Sequence, residues 1–173
     1  YADGYDWDAA ISSYLDCLEC FEELGDVYSA AQTMVNVAMV YRDKGEWDKG
    51  VRMLHRSLEI FDRLNAIPCA EQVKLNLGII YSLLGRTKDA QDLVQSAITA
   101  FENLGAVPDL CECYLCMARL KLKAELQAEA KFYLLRAQAI IDRLDYQVMR
   151  IQISGVWGDF YLVGQHYSEA GNY

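Results

Sequence analysis

Two asparagines 40 residues apart, Asn36 and Asn76, are the side chains best suited to hold a ligand. An amide carries two donors and an acceptor. It can pair with the N–H and C=O of an extended peptide whatever that peptide's side chains. The next two positions at this interval hold Cys116 and Val156, so such a ladder would have two rungs. Bonds within or between helices are the other use open to both amides. The flanking residues Val35, Met39, Leu75, Ile79, Leu83 and Leu115 could supply apolar contacts. Arg42, Arg119 and Lys123 could read acidic side chains.

Six cysteines raise the question of a metal or redox centre. Cys17 and Cys20 are three apart, as are Cys113 and Cys116; Cys69 and Cys111 complete the set. Zinc sites usually place such a pair on a turn, beside a second pair or a histidine. Both pairs here fall within helical patterning, and Cys20 aligns with Ile60, Ala100 and Ile140. They are expected to be small core residues, with a sensing cluster at Cys111, Cys113 and Cys116 as the alternative. His55 and His166 form no triad; Glu59, four residues after His55, suggests a surface pair. The acidic run Asp3-Gly4-Tyr5-Asp6-Trp7-Asp8 lacks the spacing and terminal glutamate of a calcium loop. The chain shows no phosphate loop, nucleophile elbow or H-E-x-x-H motif. These patterns point to no catalytic residue, metal or cofactor, and the chain is not expected to be an enzyme.

The elements that position these residues repeat. Phe21-Glu-Glu-Leu24-Gly25, Phe61-Asp-Arg-Leu64-Asn65, Phe101-Glu-Asn-Leu104-Gly105 and Ile141-Asp-Arg-Leu144-Asp145 recur every 40 residues. The same shift aligns Tyr41, Tyr81 and Tyr161. It also aligns Ala38, Gly78, Ala118 and Gly158, then Ala10, Gly50, Ala90, Ala130 and Ala170, and finally Cys17, Ser57, Ala97 and Ala137. Within each period apolar residues fall at helical spacing, and no segment alternates as a strand does. Gly45 and Gly85 mark a turn inside the period. Gly25, Asn65 and Gly105 sit where the second helix should end, since these residues accept the left-handed C-cap. Asp26 or Ser29 can cap the next helix, and Pro68 and Pro108 suit a first turn. Each period therefore reads as two antiparallel helices of roughly 15–18 residues. The small columns should let paired helices approach closely, while the aromatic columns fill the space between hairpins.

The motif Leu77-Gly78-x-x-Tyr81-x-x-x-Gly85-x-x-x-x-Ala90 resembles the tetratricopeptide repeat. Val37-Ala38-x-x-Tyr41-x-x-x-Gly45-x-x-x-x-Gly50 is a second copy, and Trp157-Gly158-x-x-Tyr161 with Ala170 a third. The copy at Met117-Ala118 departs from the pattern, with Lys121 for the tyrosine and Glu125 for the glycine. The 40-residue period is similar to that of the mitotic-spindle adaptor and kinesin light chain classes, and of bacterial peptide-sensing regulators. The resemblance implies an all-α fold, an α-solenoid of antiparallel hairpins in a right-handed superhelix. The expected organisation is one array: a half repeat 1–25, repeats 26–65, 66–105 and 106–145, and a partial repeat 146–173 that starts a new helix near Ser168. Both ends fall inside a repeat, so a piece of a larger protein is expected. The resemblance also implies a concave groove lined by the first helix of each repeat. Its candidate peptide-binding residues are Val35, Asn36, Met39, Arg42, Leu75, Asn76, Ile79, Leu83, Leu115, Arg119 and Lys123.

Charge narrows the partner. The net charge is -9, with eleven acids against three bases in residues 1–50 and five against seven in residues 111–150. An acidic chain repels nucleic-acid phosphates, so no direct nucleic-acid partner is expected. No apolar run is long enough for a membrane span, and no secretory signal is present. The cysteine content points to a reducing cytoplasm. The expected function is a protein-interaction module that binds a peptide or helical segment of a partner. The alternative is a sensory or autoinhibitory domain that clasps an effector within a larger transcriptional or signalling regulator. Self-association through exposed array ends is a third expectation.

Overall fold

A computed structural model describes residues 6–144 and 147–170, with the side chains of residues 147, 148 and 165–170 excepted. The described residues form helices and turns, with no strand. In chain order the helices are α1 (Trp7–Glu23), α2 (Val27–Lys44), α3 (Trp47–Arg63), α4 (Ile67–Leu83), α5 (Thr87–Leu104), α6 (Val107–Lys123), α7 (Gln127–Leu144) and α8 (Gln147–Ala170). The all-α reading of the periodicity holds. The chain divides into two compact units, one ending at Gly85 and the other beginning at Arg86. The boundary falls between the two helices of the period 66–105.

One turn geometry recurs every 20 residues. Gly25, Gly45, Asn65, Gly85, Gly105 and Glu125 all have positive φ. Next to five of these, the following N–H closes back on the helix just ended, as in Asp26 N–H to Phe21 C=O (2.9 Å) and Leu126 N–H to Lys121 C=O (2.9 Å). This left-handed cap satisfies carbonyls that would otherwise be orphaned. Asp26 caps α2 by accepting the Ser29 N–H at 3.0 Å, and Asp6 does the same for Ala9 in α1. Pro68 and Pro108 lie in the first turns of α4 and α6.

α8 departs from the rhythm. The 20-residue interval would place a turn at Gln165, and α8 runs through it to Ala170 without a break. No new helix starts at Ser168. Glutamine has neither glycine's freedom nor asparagine's local bonding to favour a left-handed turn. The Asp145 cap, the residues Asp3 to Tyr5 and the His166 side chain lie outside the described residues.

In the first unit α2 packs against α1 and α3, and α4 against α3. The small columns do set the approach: a Cβ added to Gly50 would lie 3.1 Å from the Ala38 carbonyl oxygen and 3.1 Å from Ile80 Cδ1. Leu54, Phe61, Leu77 and Ile80 are buried beside this contact, and the Tyr28 ring meets Phe61 edge-on at 5.5 Å. In the second unit α6 packs against α5 and α7, and α8 against both α6 and α7. Phe101, Met117, Leu134 and Ile141 form its buried centre.

Candidate functional site

The second unit holds a cavity of about 490 Å³ lined by Arg119, Leu122, Lys123, Asp159, Leu162 and Val163. Three of these come from α6 and three from α8. They also occupy only three columns of the repeat: 39/79/119/159, 42/82/122/162 and 43/83/123/163. A helix turns 3.6 residues at a time, so positions i, i+3 and i+4 share one face. The spacing of 119, 122 and 123 therefore makes one stripe, and 159, 162 and 163 repeat it on the facing helix. The apolar floor is leucine and valine. Arg119 and Lys123 make one side cationic, and Asp159 places a carboxylate on the other.

In the first unit the same columns hold Met39, Arg42 and Asp43 on α2, and Ile79, Ser82 and Leu83 on α4. Met39, Arg42 and Ile79 are half-buried; Asp43 and Leu83 are exposed. Arg42 is held on its own helix, with Nε donating to Asp43 Oδ1 at 2.7 Å and Nη1 lying 3.3 Å from Met39 Sδ. Asn36 is half-buried and Asn76 is buried, and neither makes a hydrogen bond among the described residues. Local bonding, the other use of these amides, is not what the structure displays.

Three expected groove residues lie elsewhere. Val35, Leu75 and Leu115 share a column and are buried, with Leu75 wholly enclosed, so their side chains belong to the core and not to an open surface. Their column lies four residues before 39/79/119, where the stripe turns into the packed interface. Val156 and Cys116 are buried as well. Leu122, Asp159, Leu162 and Val163 line the cavity beside the candidates Arg119 and Lys123; the column neighbours of Val163, Asp43, Leu83 and Lys123, share no property that would have pointed to it.

The cysteines divide by unit. Cys111, Cys113 and Cys116 are buried core residues, as their spacing predicts. Burial pushes the Cys116 thiol up to about 12 against the opposing pull of Arg119, and the Cys111 thiol up to about 11 with help from Glu112. Both stay protonated and unreactive near neutral pH. Cys17 and Cys20 are exposed instead. The column of Cys17 is buried at Ser57, Ala97 and Ala137, but no described element covers that face of α1. Among the described residues no group of three or more cysteine, histidine or acidic side chains could hold a metal. His55 pairs with the Tyr81 hydroxyl at 3.1 Å, and not with Glu59.

A second cavity, of about 440 Å³, lies between α6 and α7 and includes Tyr114, Arg136 and Arg143. Tyr114 donates to Glu102 Oε1 at 2.8 Å, and Arg136 donates to the Tyr114 oxygen at 2.8 Å and to Glu102 at 3.1 Å. The Arg136 guanidinium lies over the Tyr114 and Phe132 rings. Burial first, and Glu102 second, push the Tyr114 phenol up to about 12. This closed network fixes Arg136 as part of the hairpin's packing.

A tetratricopeptide repeat family profile matches residues 29–103, just under two of the 40-residue periods. Residues 29–103 are therefore similar to tetratricopeptide repeats. Tetratricopeptide repeats are protein-interaction modules and are generally non-catalytic. The fold is similar to the crystal structure of BtubC (BKLC) from P. vanneervenii, with a TM-score of 0.75 at 15% identity, covering 95% of this chain and 67% of that one. At that identity the likeness concerns the α-solenoid fold alone. A search of curated proteins returned no match. Among the described residues no helix is long and apolar enough to cross a membrane.

Proposed function

We propose that this chain binds a peptide segment of a partner protein along the inner faces of its first helices. One observation carries the reading: six residues from three repeat columns converge on one cavity with an apolar floor and charged sides. Asn36 and Asn76 hold peptide backbone, Met39, Ile79 and Leu83 supply apolar contacts, and Arg42, Arg119 and Lys123 read acidic side chains. Apolar anchors give most of the binding energy, and the charges set register. The chain acts without catalysis, away from nucleic acid and membrane, in a reducing cytoplasm that suits six free cysteines.

The test is a fluorescence-anisotropy screen against a library of short peptides carrying leucine or phenylalanine beside aspartate or glutamate. The reading expects hits that weaken at least tenfold in Asn36→Ala/Asn76→Ala and in Arg119→Glu/Lys123→Glu. Both variants should keep the wild-type circular dichroism and melting. Hits insensitive to both would refute the site.

The size of the cavity favours a second reading. A volume of about 490 Å³ falls in the range that encloses a small organic ligand. On that reading the array is the effector-binding part of a larger regulator. Library peptides would then fail to bind while a small anionic effector raises the melting temperature.

A further inference from the structure

The cavity of the second unit carries opposite charges on its two helices, and the function proposed above uses only the positive side. Arg119 on α6 and Asp159 on α8 belong to one repeat column, and both line the cavity. Both are exposed. Among the described residues neither makes a hydrogen bond or an ion pair, with the other or with any third group. Lys121, between the two lining cations of α6, is already paired with Glu129 on α7 at 2.8 Å. The earlier copies of the column hold Met39 and Ile79, so packing does not demand a charge there. Of the described lining residues Asp159 alone is acidic.

This placement sets what a ligand must carry. α6 and α8 pack directly against each other, and packed helices stand about 8–10 Å apart. An extended peptide advances about 3.3–3.6 Å per residue. Two of its side chains with one or two residues between them therefore reach from one helix to the other. An apolar residue between them then lies over Leu122, Leu162 and Val163. A peptide with acids at both positions is attracted by Arg119 and repelled by Asp159. One with an acid towards α6 and a base towards α8 is attracted by both. Like charges set against each other suppress the wrong ligand, and opposite charges fix the register of the right one.

We propose that Asp159 selects the ligand: the bound peptide carries a lysine or arginine on the α8 side of its apolar anchor and an aspartate or glutamate on the α6 side. Asp159 is then a specificity-determining residue of the cavity, with Arg119 as its counterpart. The proposal rests on the peptide-binding reading and adds to it the sign of the charge at one position. A uniformly acidic ligand satisfies the earlier reading and not this one.

The test is fluorescence anisotropy on the full chain with three pools of terminally blocked peptides built round a leucine pair. One pool carries an acid on one flank and a base on the other, in both orders. The second carries an acid on both flanks, and the third an acid on one and glutamine on the other. At low salt, where exposed charges are least screened, the wild-type chain should bind the acid–base pool about twofold to fivefold tighter than the acid–glutamine pool. The doubly acidic pool should bind weaker than either. Asp159→Asn should erase the acid–base preference, Asp159→Glu should keep it, and Asp159→Lys should reverse it, so that the doubly acidic pool binds tightest. Asp159 is exposed, so the variants should keep the wild-type circular dichroism and melting. An acid–base preference that survives Asp159→Asn overturns the proposal and leaves the peptide-binding reading standing. So does a wild-type chain that binds the doubly acidic pool as tightly as the acid–base pool. If no pool binds the wild-type chain, both readings fall.

Discussion

Among the described residues, Glu125 is the one turn residue whose type opposes its conformation. Its φ is 60°, in the left-handed region, where the equivalent turns at 45 and 85 use glycine. A side chain there costs about 1–2 kcal/mol. Elsewhere in helices alanine is better than glycine by about 1 kcal/mol, because glycine loses more freedom on folding. The two terms oppose each other, and the left-handed term is the larger. Glu125→Gly should therefore be more stable than Glu125→Ala by up to about 1 kcal/mol, the reverse of the helical order. Comparing glycine with alanine removes the surface interaction of the glutamate side chain, which both variants lose. Asn65→Gly should gain less, since asparagine tolerates φ of 52° through local hydrogen bonding. Gly45→Ala, at φ of 84°, should lose about 1 kcal/mol. Urea unfolding followed by far-ultraviolet circular dichroism reads all four, and 1 kcal/mol corresponds to a melting shift of about 2–4 °C for a chain of this size. If Glu125→Ala proves as stable as Glu125→Gly, the left-handed turn is not what sets the boundary between α6 and α7.

Other outcomes follow from the same coordinates. Cys17 and Cys20 should label with a maleimide within minutes, while Cys111, Cys113 and Cys116 label only on unfolding, as mass spectrometry of the digested protein would show; fast labelling of the buried three would reopen a redox role. Ser57→Ala removes one buried hydroxyl bond to the Ala31 carbonyl and should cost about 0.5–1.5 kcal/mol in urea. A larger loss is not expected, because Ala97 and Ala137 occupy this column intact. The Ser29 N–H holds the Asp26 carboxyl below its ordinary value, so its contribution is present above the usual carboxylate range and is lost as pH falls through that lowered value. Asp26→Asn keeps an acceptor at the cap, and the gap in stability between it and wild type should change on acidification, measured as urea midpoints; a constant gap would argue against the cap.

Nearly all of the fold could be read from the sequence, because an array repeats its own contacts. The columns of Gly50, Ser57 and Phe61 carry the same demand for size in each copy, so comparing the chain with itself substitutes for comparing it with relatives. The reading failed where that demand lapsed. Cys17 looks like a core residue from its column, yet no described element covers that face of α1. Gln165 stands where a turn was expected, and without a residue suited to positive φ the helix continues. Leu75 and Asn76 show the finer limit. They are adjacent on a first helix and both were assigned to the groove, but a helix turns about 100° per residue. One residue of rotation takes the chain from a wholly enclosed leucine to a buried amide without a hydrogen-bond partner among the described residues, and apolar spacing alone resolves neither.

The cavity shows where an array stores what is not structural. A column that contacts a neighbouring helix is constrained to repeat, since the neighbour repeats too. A column that faces solvent or a ligand has no such constraint. Met39, Ile79, Arg119 and Asp159 share a column yet differ in charge and size, and so do Arg42, Ser82, Leu122 and Leu162. Variation alone would mark any exposed position, and the outer faces of α3 and α5 vary as well. In the second unit the inner columns differ in that their varied side chains converge on one space, with leucine below and opposite charges at the sides. Convergence is a property of the fold, whereas variation is a property of the sequence. Neither alone identifies a binding surface, but a column that fails to repeat and still points into a shared cavity is where specificity for a partner would be written.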